Sequence, residues 1–108
     1  MGKSRDRGSL IRKIVNIAVH EIIAKHTNKP ESVHFLNSEI IEYRSQAIKK
    51  AEKYNWDEED REYTEKKASE LAKEKLNSKY KDVKHSEEEL TKTLKEIIKE
   101  VMHKEKEY

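Results

Sequence analysis

The side chains best suited to chemistry in this sequence are the cations near its start. Positions 1–13 contain a single acid, Asp6, and five bases, which are Lys3, Arg5, Arg7, Arg12 and Lys13. Cations at this density are the usual contacts to phosphate groups. Gly2, Ser4 and Gly8 are expected to make residues 1–8 a flexible basic arm. The same composition is also typical of a solvated tail without a partner.

The first helix is expected over residues 9–25, which places Arg12 and Lys13 in its first turn. Cations at a helix N-terminus oppose the helix dipole, and an anionic partner would relieve that repulsion. A phosphate at this position would also meet unpaired backbone N–H groups. We therefore predict a nucleic-acid site formed by the five cations.

Two other patterns raise the question of metal or catalytic chemistry. His20 and His26 are six positions apart in HEIIAKH, whereas a zinc pair on one helix face needs a spacing of four. The acids of DEEDREYTE, from Asp57 to Glu65, would need carboxylates from a second helix to hold magnesium. Acids at the start of a helix are in any case favoured by its dipole. We predict no catalytic residue, metal or cofactor, and a protein that is not an enzyme.

Composition limits the remaining classes of function. The 108 residues include 24 bases and 22 acids, so the net charge is only +2 and no field of one sign covers the chain. The absence of cysteine excludes disulfides and thiol catalysis. Apolar runs are too short and too interrupted to cross a bilayer, so we expect no membrane partner and a cytoplasmic location.

The chain is predicted to be all-α, a small bundle of about four helices with no sheet. One proline and two glycines leave few breaks between good helix formers. Asn55 and Ser86 are expected to cap the third and fourth helices. A single helical domain, residues 9–108, is expected to follow the arm, with helices over about 9–25, 31–54, 56–77 and 87–104.

The apolar residues are unevenly distributed among these helices. The first helix is apolar around most of its circumference, which is typical of a helix buried on most sides. The fourth helix carries one apolar stripe from Leu90 to Met102, and the third has a poor stripe that includes Leu71. Because the core looks thin for this length, pairing of two chains through the first and fourth helices is expected to supply further burial.

The segment FLNSEIIEYRSQAIKKAEKY, residues 35–54, has an apolar spacing that resembles the long central helix of histone-fold proteins. That resemblance implies a long middle helix between shorter ones, a dimer and DNA binding. The chain departs from the family where it continues with the acidic NWDEEDREY instead of a short basic loop.

Two functions therefore stay open. The first is a small helical nucleic-acid-associated protein that grips phosphate through the basic arm. The second is a protein-interaction or oligomerisation module whose charges only keep it in solution. Phosphate binding would weaken steeply with salt, whereas apolar helix pairing would not.

Overall fold

A computed structural model describes residues 2–27, 29–80 and 85–102. These residues form four helices and no strand, which confirms the predicted all-α bundle. The helices are α1 (Gly2–His26), α2 (Pro30–Ala51), α3 (Glu58–Lys79) and α4 (Glu87–Val101). The expected end of the fourth helix at residue 104 lies outside the described residues.

Helix α1 is the centre of the bundle. It packs against each of the other three helices, and α4 packs against both α2 and α3. Among the described residues, α2 and α3 do not contact each other. Since α4 lies between them on one side only, α1 has one long side that no other helix covers.

The burial of α1 follows from its apolar circumference. Eight of its side chains are buried: Leu10, Ile11, Ile14, Val15, Ile17, Ala18, Val19 and Ile22. They belong to one core with residues of the other three helices, so the described chain has a single hydrophobic cluster. The expectation that the first helix is buried on most sides is confirmed.

The predicted start of the first helix is wrong. Residues 2–8 are not an arm in front of a helix, because α1 already begins at Gly2. Gly8 is compatible with this, since glycine in a helix costs only about 1 kcal/mol relative to alanine. With this start, Arg12 and Lys13 lie well inside the helix, and the argument from the dipole of the first turn does not apply to them.

Helix α2 presents a narrow apolar face. Ile40, Ala47 and Ala51 are buried, whereas Ile41 is 69% exposed. The layout of histone-fold proteins is not seen, because the longest and central helix is the first one and not the second.

Helix α3 approaches the core through small residues. Its buried row is spaced four residues apart and consists of Asp60, Thr64, Ala68, Ala72 and Leu76. Leu71, which was expected in the apolar stripe, is 40% exposed. Leu71 directly precedes Ala72 of the buried row, so it lies about 100° further around the helix and outside that contact.

The caps explain where α3 and α4 begin. Asp57, not Asn55, caps α3: its side chain accepts from the Asp60 N–H at 2.8 Å, and the Asp57 N–H donates to the Asp60 carboxylate at 3.3 Å. Trp56 is buried, and its indole N–H donates to the Ala51 carbonyl at 2.9 Å. Helix α3 begins at Glu58, two residues later than the predicted start at residue 56. Ser86 caps α4 as predicted, since its hydroxyl accepts from the Glu89 N–H.

The apolar stripe of α4 is buried within the chain. Its residues Leu90, Leu94, Ile97, Ile98, Val101 and Met102 all lie in the shared core. The two surfaces that the sequence assigned to a homodimer are therefore already covered in one copy. No helix of the described chain is both long and apolar enough to cross a membrane.

The start of α1 can be tested at Gly8, where an added Cβ would meet no atom within 4 Å. Gly8→Ala should raise the free energy of unfolding by about 0.5–1 kcal/mol, because alanine restricts the unfolded chain more than glycine does. Gly8→Pro should lower it, because proline removes a helical hydrogen bond. Thermal unfolding followed by circular dichroism measures both. Two unchanged melting temperatures would show that residues 2–8 are not helical.

The depth of the core can be tested at its two main helices. Ile14 on α1 and Ile97 on α4 are at most 1% exposed. Ile14→Ala and Ile97→Ala should each lower the free energy of unfolding by about 2–5 kcal/mol in urea titrations. Ile41→Ala removes the same atoms from an exposed position and should change it little. An Ile97→Ala protein as stable as Ile41→Ala would mean that α4 does not belong to the core.

Candidate anion-binding groove

Two of the five predicted phosphate contacts are used inside the protein. The carboxylate of Asp60, at the start of α3, receives the Lys3 ammonium at 3.2 Å and the Arg7 guanidinium at 2.9 Å. Lys3 also lies 5.3 Å from the centre of the Trp56 ring, and Arg7 stacks 4.2 Å from the centre of the Tyr63 ring. Lys3 and Arg7 therefore fasten the beginning of α1 to α3.

A second set of contacts ties the beginning of α1 to the end of α2. Asp6 accepts a hydrogen bond from the Tyr54 hydroxyl and lies 3.5 Å from the Lys50 ammonium. The hydrogen bond from Tyr54 lowers the pKa of the Asp6 carboxyl, and the same bond raises the pKa of Tyr54. The single acid of the basic segment thus has a structural role.

Electrostatics at Asp60 favours its charged form. Burial alone would raise the pKa of this carboxyl, but hydrogen bonds from Lys3, the Asp57 N–H and Arg7 outweigh that effect. Its pKa consequently lies below the ordinary value of 3.8. Asp60 is thus an anion that the fold itself supplies to two of the predicted cations.

Of the other three predicted cations, two face outwards and one lies towards α2. Arg5 and Arg12 are exposed and are seven residues apart, so they lie on the same face of α1. Lys13 points towards α2, where its ammonium donates to the Gln46 side chain at 3.3 Å. The structure therefore divides the five predicted cations into a pair bound to Asp60 and three that have no ion pair among the described residues.

Arg12 opens onto a groove between α1 and α3, on the long side of α1 that no helix covers. The groove has a volume of about 580 Å³. Among the described residues, four cations and one carboxylate line it: Arg12, Lys67, Lys75, Lys79 and Glu74. Ile11, Val15 and Leu71 contribute apolar surface beside them. We call this surface the basic groove.

One wall of the basic groove is a row of residues spaced four apart along α3. The row consists of Tyr63, Lys67, Leu71, Lys75 and Lys79. It lies next to the buried row of α3, so each of these side chains emerges beside the core. One edge of the groove therefore carries an aromatic and an apolar side chain with lysines between and after them.

Lys75 is held in position across the groove. Its ammonium donates to the Asn16 side-chain oxygen of α1 at 2.7 Å. An ammonium has three N–H donors, so Lys75 can bind α1 and still donate to a ligand. Lys67 has a looser partner, Glu70, at 3.9 Å.

Three further surface grooves have a different electrostatic character. Each carries at least as many carboxylates as cations among its described residues. The groove between α1, α2 and α4, for example, contains Glu21, Glu96 and Glu100 with only two cations. Of the four grooves, the basic groove alone therefore has more cations than carboxylates among its described residues.

The two histidines considered for metal binding face different helices. The Nε2 atom of His20 lies 3.3 Å from Glu39 of α2, and the Nε2 atom of His26 lies 3.0 Å from Glu89 of α4. No group of three potential metal ligands occurs in the residues that the structure describes.

Five groove residues were not predicted from the sequence: Tyr63, Lys67, Leu71, Lys75 and Lys79. A signal for them exists, because they repeat every four residues directly before the row Thr64, Ala68, Ala72 and Leu76. These residues line a groove only because α3 packs on α1, however, and the spacing of α3 does not indicate which side of α1 stays uncovered.

Fold and site together define a small all-α bundle with one basic groove. A comparison of the chain with known protein families, with curated proteins and with solved structures finds no match.

The role of Asp60 can be tested by charge removal. Asp60→Asn should lower the free energy of unfolding at neutral pH by about 1–3 kcal/mol, because it leaves Lys3 and Arg7 without their anion. Since the pKa of Asp60 is lowered in the folded protein, this contribution is present above its ordinary value of 3.8 and disappears as pH falls through the lowered value. Urea titrations at a series of pH values measure the difference.

Glu59→Gln is the matched control for this experiment, since Glu59 is an exposed acid in the same helical turn. It changes the net charge equally and should have little effect. If Asp60→Asn were no more destabilising than Glu59→Gln, the contacts of Lys3 and Arg7 would not hold α1 to α3.

Proposed function

We propose that the protein binds nucleic acid through the basic groove and acts by binding and not by catalysis. Arg12, Lys67, Lys75 and Lys79 are its phosphate contacts, and Arg5 extends the same face of α1 beyond the groove. The observation that carries this proposal is the excess of four cations over one carboxylate at this groove, in a chain whose net charge is only +2. Contacts of this kind fix the position of a phosphate backbone without reading its sequence.

Lys3 and Arg7 are not phosphate contacts in this proposal, because both are already bound to the Asp60 carboxylate. Lys13 lies towards α2 and is a secondary contact. The binding unit is a single chain, since the apolar stripes of α1 and α4 are buried within it. A cytoplasmic location, which the sequence predicts, stays a prediction and would place the groove within reach of RNA.

A protein partner is the second candidate, and the apolar part of the groove favours it. Leu71 and Tyr63 are 40% and 42% exposed beside the cations. A groove that combines apolar and cationic side chains suits an amphipathic helix with an acidic face. Charge complementarity would then steer the encounter, and burial of Leu71 would supply affinity.

The nucleic-acid proposal predicts a salt-dependent affinity that the groove controls. A fluorescent mixed-sequence oligonucleotide should bind at low salt, and log affinity should fall linearly with log salt. The double variant Arg12→Gln, Lys79→Gln should weaken binding and flatten this slope by about 1–2 units, roughly 0.7–0.9 per lost phosphate contact. Fluorescence anisotropy over a series of salt concentrations measures both quantities.

The control is Lys66→Gln, Lys95→Gln, which removes the same charge from exposed positions at the more acidic grooves. Its affinity should stay close to that of the unchanged protein. An equal loss in both double variants would show that net charge alone matters and that the groove is not the site. Absence of binding at low salt would overturn the nucleic-acid function in favour of a protein partner.

A further inference from the structure

The basic groove contains more apolar surface than phosphate binding requires. Leu71 and Tyr63 line it and are 40% and 42% exposed, and the buried side chains of Ile11 and Val15 border it as well. A site for phosphates alone would gain nothing from these side chains, because phosphates are fully charged and strongly hydrated. The ligand must therefore carry apolar or aromatic groups close to its charges.

From this juxtaposition we infer that the basic groove prefers single-stranded to double-stranded nucleic acid, with one unstacked base against Tyr63 and another against Leu71. This inference rests on the proposed function and specifies its ligand. In a duplex the faces of the bases are stacked on one another, so only phosphates and groove edges are accessible. A single strand offers base faces as well as phosphates, and aromatic side chains bind those faces without sequence preference.

Tyr63 is prepared for such a contact. The guanidinium of Arg7 stacks on its ring at 4.2 Å, and Asp60 holds Arg7 in turn at 2.9 Å. The ring is thereby held against one side of the groove before any ligand binds. A side chain that is already fixed loses less conformational entropy on binding than a free one.

The spacing along α3 places charge on both sides of the apolar contact. Lys67 lies one helical turn from Tyr63 and one from Leu71, and Lys75 follows Leu71 by one more turn. Consecutive members of this row are about 6 Å apart along the helix axis. A base at Leu71 would thus have an ammonium on each side for the phosphates that flank it.

The size of the groove also bears on the ligand. With a volume of about 580 Å³, it can hold part of a single strand but cannot enclose a duplex. A duplex would lie across its opening and reach less of its apolar surface.

The test compares one oligonucleotide sequence as a single strand and as a duplex, by fluorescence anisotropy at the same salt concentration. The single strand should bind at least roughly 10-fold more tightly. Tyr63→Ala should weaken binding of the single strand by about 5- to 150-fold, the effect of one lost stacked base, and leave duplex binding unchanged. Tyr63→Phe keeps the ring and should retain the affinity.

Phe35→Ala is the control, because it removes another exposed aromatic side chain, on α2 and away from the groove. It should change neither affinity. Arg12→Gln should weaken both ligands, since both present phosphates.

Equal affinity for the two ligands, or a Tyr63→Ala protein that loses both affinities or neither, would overturn the preference for single strands and leave the proposed function standing. If neither nucleic acid binds, the proposed function fails as well. Binding of an acidic amphipathic peptide in that case would identify the groove as a protein site.

Discussion

The structure depends on one constraint, which is that a single helix carries apolar residues around most of its circumference. Water must be excluded from several sides of α1 at once, and the other three helices each cover one of them. This explains why α2 and α3 need few large apolar side chains: each buries only one row against a shared centre. It also explains the groove, because three helices around a fourth leave one side uncovered. The part of α1 that stays open is the part with Arg5 and Arg12.

Within this arrangement Asp60 determines how the basic segment is used. The five cations and one acid of residues 1–13 could have formed a solvated tail. Instead, one carboxylate at the start of α3 pairs with Lys3 and Arg7, and it completes the cap of its own helix as well. These ion pairs hold the first two turns of α1, which the sequence did not predict to be helical, against the start of α3. They also bring Tyr63 and Arg7 together at the mouth of the groove.

The fold was largely predictable because its signals are local. Good helix formers, Pro30, the Ser86 cap and the apolar stripe of α4 all act within a few residues of their own position. The start of α1 was not predictable in this way, because it depends on Asp60, more than fifty positions further along the chain. The same holds for the groove. The sequence identified Arg12, but its neighbours in space come from α3, and only the packing of α3 on α1 brings them together.

The row Tyr63, Lys67, Leu71, Lys75 and Lys79 has a geometric consequence of its own. Four residues exceed one helical turn by about 40°, so a row with this spacing winds slowly around the helix instead of running straight along it. A ligand that contacts every member must follow a curved path. Duplex DNA is stiff on this scale, with a persistence length of about 50 nm, and could follow such a path only at a cost in bending energy. If the groove binds nucleic acid as proposed, the curvature of this helical row would favour a flexible single strand over a stiff duplex.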